Sequence, residues 1–253
     1  MTLLRADNVS RSFGVFRALD GVSLGIGEGE HVSVIGPNGA GKTTLVNVLT
    51  GLLRPSSGSV TFKGRSVAGR SAPQLAKMGM ARSFQLVNIF PELSVRETIE
   101  VAVFSRLGAG KRMLSRPASN PEAEAIVNDV AGQFGFTEKL DRPARSLSQG
   151  DKKLLDVASA FALKPEIILL DEPTSGVSTA DKTVIMQVLT RAARHSGIKA
   201  IIQVEHDMDI VFGYSNRIIA VHNGRILADG TPDQIRAQQD VMAAVVGRLP
   251  DHA

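Results

Sequence analysis

Residues 36–43 read GPNGAGKT, in which a lysine and a hydroxyl follow the last of three glycines. Small residues at this spacing let successive backbone N–H groups turn inward around phosphate oxygens, and a helix starting there adds its positive end. Gly36, Asn38, Gly39, Ala40, Gly41, Lys42, Thr43 and Thr44 are the expected cradle. Lys42 would reach the β- and γ-phosphates, and the Thr43 hydroxyl would ligate Mg²⁺. Far downstream, Asp171 and Glu172 end an apolar run that begins near Ile167. Ligands of an open α/β sheet bind outside the carboxyl ends of its strands. Asp171 is therefore expected on the metal side, and Glu172 as the group that polarises or deprotonates an attacking water. His206 closes a similar run; it is either a structural imidazole or a group facing the γ-phosphate. The stretch LSQGDKK (147–153) also has two readings. It is half of a nucleotide site completed by a second chain, or an ordinary helix start with Ser148 as cap and Asp151 in the first turn.

The elements that must hold these groups follow from hydrophobic period. HVSVIG (31–36) is a β-branched run ending at glycine, and Leu45, Val48, Leu49 and Leu52 behind it share one helix face. GSVTFKG (58–64) alternates as a half-buried strand does. EIILLDE (166–172) and KAIIQVEHD (199–207) are continuous apolar runs, the mark of strands covered on both faces. NRIIAVHNGRILADG (216–230) predicts a hairpin about HNG. Segments 94–106 and 121–136 predict helices capped by Ser94 and Asn120, with Pro121 at the first helical position. From Thr231 to Gly247 the tail is expected to be helical, docked through Ile235, Val241, Val245 and Val246. The plan is α/β: a core of 1–86 and 147–230, a helical subdomain at 87–146, and a C-terminal helical tail at 231–253.

Composition narrows the function. The chain has 253 residues, 43% apolar and 21% charged, with a net charge of +4. Its densest basic cluster, GKRMLSR at 110–116, is expected to be a solvated loop, so no nucleic-acid partner is anticipated. The absence of cysteine excludes disulfides, thiolate metal sites and cysteine nucleophiles. The N-terminus lacks the apolar region of a signal peptide, and no apolar run approaches the roughly 20 residues that span a bilayer.

Four landmarks stand in order: GPNGAGKT, SFQ (83–85), LSQGD, and IILLDEPTSG with VEHD downstream. Together they resemble the nucleotide-binding subunit of an ATP-binding cassette (ABC) transporter, a P-loop NTPase with a mixed-sheet core and an inserted helical subdomain. The resemblance implies that Phe13 stacks on adenine, with Phe16 the weaker candidate. It implies that Gln85 meets Mg²⁺ and the attacking water, and that His206 is a switch histidine beside the γ-phosphate. Ser148, Gln149 and Gly150 would form the signature that contacts ATP held by the opposite subunit. Two positions depart from the familiar pattern: Asp151 in the signature, and Ser178 where many relatives carry an aspartate linking the two sites. Segments 79–103 and 204–247 are similar to LivG-type subunits of branched-chain amino acid importers, a pattern that urea and aromatic-acid importers share. The implied protein hydrolyses ATP with Mg²⁺ at the cytoplasmic face of the inner membrane, as a peripheral subunit. Its partners would be permease subunits, a second cassette of the same or a different chain, and, indirectly, a solute-binding protein. The alternative is a nucleotide-gated regulatory or non-transport cassette with weak hydrolysis.

Overall fold

The apolar runs become fully buried strands. In the computed structural model, which describes residues 1–83, 90–107 and 120–246, the chain forms two compact units. The first comprises Met1–Leu75 and the residues from Lys199 onward. Its antiparallel sheet pairs β1 (Thr2–Phe13) with β2 (Phe16–Gly27) on one side and β4 (Ser57–Phe62) on the other, and a short β5 (Arg65–Ser66) extends the edge. Its parallel strands are β3 (His31–Ile35), β8 (Ala200–Val204) and β9 (Arg217–His222), with β10 (Arg225–Gly230) returning antiparallel to β9. Every residue of β3 and of β8 is buried, as strands covered on both faces require, and the polar Gln203 donates to Ser33 Oγ at 2.9 Å. The turn Asn223–Gly224 has φ of 49° and 75°, the left-handed pair that a tight hairpin needs.

Helix α1 (Lys42–Leu49) buries Leu45, Val48 and Leu49 but stops there. Leu52 lies past the Thr50 cap and is 62% exposed, so it does not belong to the expected face. The tail also differs from one continuous helix. After α7 (Met208–Tyr214) and the hairpin, Thr231 caps a short α8 (Pro232–Ala237), Gln238 breaks it, and α9 (Gln239–Val246) follows. Ile235, Val241 and Val245 still dock together on Ile218 and Ala220; the Val246 side chain lies outside the described residues.

The chain enters the second unit, Ala76–Ile198, through α2 (Ala72–Met78). There β6 (Met80–Arg82) runs parallel to β7 (Ile167–Asp171), and four helices follow the chain: α3 (Val95–Leu107), α4 (Pro121–Phe134), α5 (Gln149–Ala162) and α6 (Thr179–His195). Both expected caps form. Ser94 and Glu97 make reciprocal backbone bonds, and the Asn120 side chain accepts from Glu122 and Ala123. The helices pack through Ile99, Val103, Val127 and Leu155, and Phe134 meets Phe161 edge-on at 5.0 Å. The expected 87–146 lobe falls within this unit. GKRMLSR and Gln85 lie outside the described residues. No described helix is long and apolar enough to cross a membrane.

Candidate functional site

The cradle expected from GPNGAGKT is built against the β9–β10 hairpin. A Cβ on Gly36, at φ 151°, would overlap the carbonyl oxygen of Val221. One on Gly41, at φ 103°, would lie 2.5 Å from the carbonyl oxygen of Ala18 in β2. Gly39, at φ 80°, has nothing within 4 Å of that position, so the middle of the loop faces open space while both ends are wedged. The Gly224 N–H donates to the Ala40 carbonyl at 2.9 Å, fixing the loop to the hairpin turn. Lys42 is buried, and its Nζ donates to the carbonyls of Gly36 and Pro37 at 2.7 and 2.9 Å. Asn38 and Thr43 are exposed, and Thr44 is half-buried.

Helix α1 begins unlike its neighbours. Side chains cap α4, α5, α6 and α8, whereas Gly41 offers α1 none, and no acid lies in its first turn. Its first N–H groups and its positive end are therefore left to an anion. His206 emerges at the same edge. Val34 stands opposite Val204 in the parallel ladder, so Gly36 and His206 each lie two residues beyond that pair. The His206 side chain is exposed, beside the buried Glu205. At the tip of the β1–β2 hairpin Phe13 and Phe16 are partners, 45% and 61% exposed. The Arg11 guanidinium lies 4.7 Å from the Phe13 ring centre, and Arg11 donates to the Arg54 carbonyl. That contact covers one face of the Phe13 ring.

The acids lie in the second unit. Asp171 is 2% exposed, and its Oδ2 accepts from Arg82 Nη2 at 2.9 Å. Its Oδ1 is buried and has no hydrogen-bond partner among the described residues, so it suits a cation or an ordered water. Glu172 is half-exposed with φ 51°, uncommon for a residue with a Cβ and less favourable still before proline. Such a conformation costs on the order of 1–3 kcal/mol and persists only where surroundings over-determine it. Here the Glu172 carbonyl accepts from the Ser175 N–H at 3.1 Å and from Lys153 Nζ at 3.2 Å.

The helix-start reading of LSQGDKK holds, and that start is open to solvent. Ser148 caps α5, accepting from the Asp151 N–H at 3.0 Å, and Ser148 and Gln149 are exposed with Gly150 half-buried. Asp151 is engaged within its own unit: both its oxygens accept from Lys139 Nζ, at 3.0 and 2.8 Å. Ser178 likewise caps α6 and donates to Asp181 Oδ2 at 2.7 Å. Asp151 and Lys139 retain about a quarter and a third of their side-chain exposure, so screening limits what the pair contributes. In a double-mutant cycle of Lys139→Gln and Asp151→Asn, followed by urea unfolding, the coupling should be about 0.2–1 kcal/mol. It should shrink in high salt. Zero coupling would remove the neutralising role of Lys139.

Arg82, Lys139 and Lys153 escape sequence reasoning. Only Lys153 leaves a signal: it sits with Val157 and Ala160 at i, i+4 and i+7 on the buried stripe of α5.

The family model described as "ABC transporter" matches residues 19–175, more than half of the chain. The high-affinity branched-chain amino acid transport ATP-binding protein LivG of Salmonella typhimurium is 37% identical over 250 residues, 97% of this chain and 98% of the relative. The crystal structure of the ADP conformation of MJ1267, an ATP-binding cassette of an ABC transporter, is 30% identical with a TM-score of 0.81, covering 98% of this chain and 99% of that one. The cassette MJ0796, solved as a dimer in a post-hydrolysis state with ADP and Pi, is 26% identical with a TM-score of 0.75 over 91% of this chain and 99% of that one. A phosphate cradle on an uncapped helix and full-length likeness to ATP-binding subunits lead to one conclusion. The chain belongs to the ABC transporter family, as an ATP-binding and ATP-hydrolysing subunit.

Proposed function

We propose that this cassette powers import of branched-chain amino acids, or a related small solute, as one half of a head-to-tail dimer bound peripherally to the cytoplasmic face of membrane permease subunits. The name of the LivG relative supports the solute class, and the dimeric MJ0796 structure supports the assembly. The 87–146 lobe is the part we assign to the permease.

In this reading Phe13 stacks on adenine while the loop N–H groups from Gly36 to Thr44 and the Lys42 ammonium hold the phosphates. Thr43, Asp171 and Gln85 would hold Mg²⁺, which supplies charge neutralisation on the β- and γ-phosphates. The unsatisfied Oδ1 of Asp171 and the exposed Thr43 suit that duty. Glu172 takes the proton of the attacking water, and Gln85 and His206 align that water and the γ-phosphate. Positioning and charge, rather than covalent chemistry, carry most of the rate. Ser148, Gln149 and Gly150 present the start of α5 to the nucleotide of the partner subunit.

One observation carries the dimer: the capped N-terminus of α5 is exposed, and the acid in its first turn is neutralised by Lys139. A helix start so prepared is complementary to an anion from outside. With hydrolysis slowed by Glu172→Gln, ATP should double the mass measured by light scattering, and a further Ser148→Arg change should abolish the doubling. ATP-dependent dimers that tolerate arginine at 148 would refute the assignment.

A further inference from the structure

We infer that Lys153 is a positioning residue that couples the nucleotide of the partner subunit to the general base of its own chain. This deepens the function proposed above and rests on the roles given there to Ser148 and Glu172.

The coupling is covalently short and mechanically direct. Lys153 belongs to α5, the helix whose N-terminus carries Ser148, Gln149 and Gly150. Five residues of α-helix rise about 7.5 Å, so the ammonium-bearing residue sits little more than one turn behind the cap. A single lysine at 7% exposure faces a buried surface rather than solvent. Its Nζ donates to the Glu172 carbonyl at 3.2 Å and to Ser175 Oγ at 3.1 Å. Both acceptors lie in the turn that follows β7, the turn closed by the Ser175 N–H on that same Glu172 carbonyl. Glu172 is the residue held at φ 51°. The cation thus fastens one end of a rigid rod to the peptide that aims the glutamate side chain.

When the start of α5 engages a phosphate of the partner, any axial shift or rotation of the helix is delivered to the Glu172 peptide through a charge-assisted hydrogen bond. Ser178, at the position where many relatives carry an acid between the two sites, spends its hydroxyl on Asp181 within its own helix start. Lys153 supplies a different physical link between the two nucleotides.

The test uses the full chain with Lys153→Met, Lys153→Arg and Ser175→Ala, reading ATP turnover against ATP concentration and dimer mass in the Glu172→Gln background. The native curve should be sigmoidal. Lys153→Met should lower kcat about 10- to 100-fold, as a misplaced catalytic group does. Its KM should stay within about threefold and its ATP-dependent dimers should persist, with the curve becoming hyperbolic. Lys153→Arg, which keeps charge and donors, should restore most of the cooperativity. A hyperbolic native curve, or native turnover and cooperativity in Lys153→Met, would overturn the inference. Should Lys153→Met fail to fold, Ser175→Ala decides: reduced turnover with lower cooperativity supports the link, and unchanged kinetics refute it. If instead Glu172→Gln turns over ATP normally, the functional reading beneath it fails, whatever Lys153 does.

Discussion

Replacing Glu172 with glutamine should lower the turnover number for ATP by about 10²–10⁴-fold, the usual contribution of a positioned general base. The change keeps side-chain length and leaves the backbone at φ 51° with the same Lys153 and Ser175 donors, so the loop should not collapse. What it removes is the carboxylate proposed to accept the proton of water. Apparent affinity for ATP should stay within about threefold, because the lost interaction belongs to the transition state rather than to the bound ground state. Phosphate release over a range of ATP concentrations separates the two quantities. A loss confined to KM, with kcat intact, would mean that Glu172 helps to hold nucleotide and that another group activates water.

The second large effect is structural. Gly36→Ala should drop the melting temperature of the chain steeply. The new methyl would overlap the Val221 carbonyl oxygen at the buried, turn-side end of β9, where neither backbone has room to retreat. Overpacking of this kind together with the unfavourable φ should cost about 3 kcal/mol or more. For a chain of this size that corresponds to roughly 6–12 °C. Gly39→Ala is the internal control. It meets nothing within 4 Å and carries only the left-handed conformational penalty, on the order of 1–2 kcal/mol. Calorimetry of the two variants should rank them in that order. Equal melting temperatures would show that the loop is not wedged against the hairpin.

Much of the frame is legible because it depends on local pattern. The strands at 31–35, 167–171 and 200–204 are mostly apolar and buried at every position, and HNG marks its own turn. The hairpin Thr2–Gly27 is harder to see. Its pairing slips at several points, and Asn8 adopts φ 47°, so the period of two is interrupted where it would identify a strand. Helix α6 sets Ile185, Met186, Leu189 and two alanines on one face behind its Ser178 cap, a helical period that the small alanines weaken. The chemistry divides the same way. Lys42 and Glu172 are flagged by motif and strand end, while the partners that orient the acids are matters of three-dimensional proximity. Arg82 reaches Asp171 across 89 positions, and Lys139 meets Asp151 only after the chain has turned. Spacing along a sequence carries no information about such pairs.

The hairpin turn at Gly224 also bears on affinity. A flexible anion loop must surrender conformational freedom each time it closes on a ligand, and that loss is subtracted from binding. Because Gly224 and Val221 already hold Ala40 and Gly36 in place, most of that ordering is completed when the protein folds rather than when nucleotide arrives. In the proposed site the grip on a triphosphate would therefore be partly set by the hairpin, and loosening it would weaken binding through entropy without changing the donors of the loop itself.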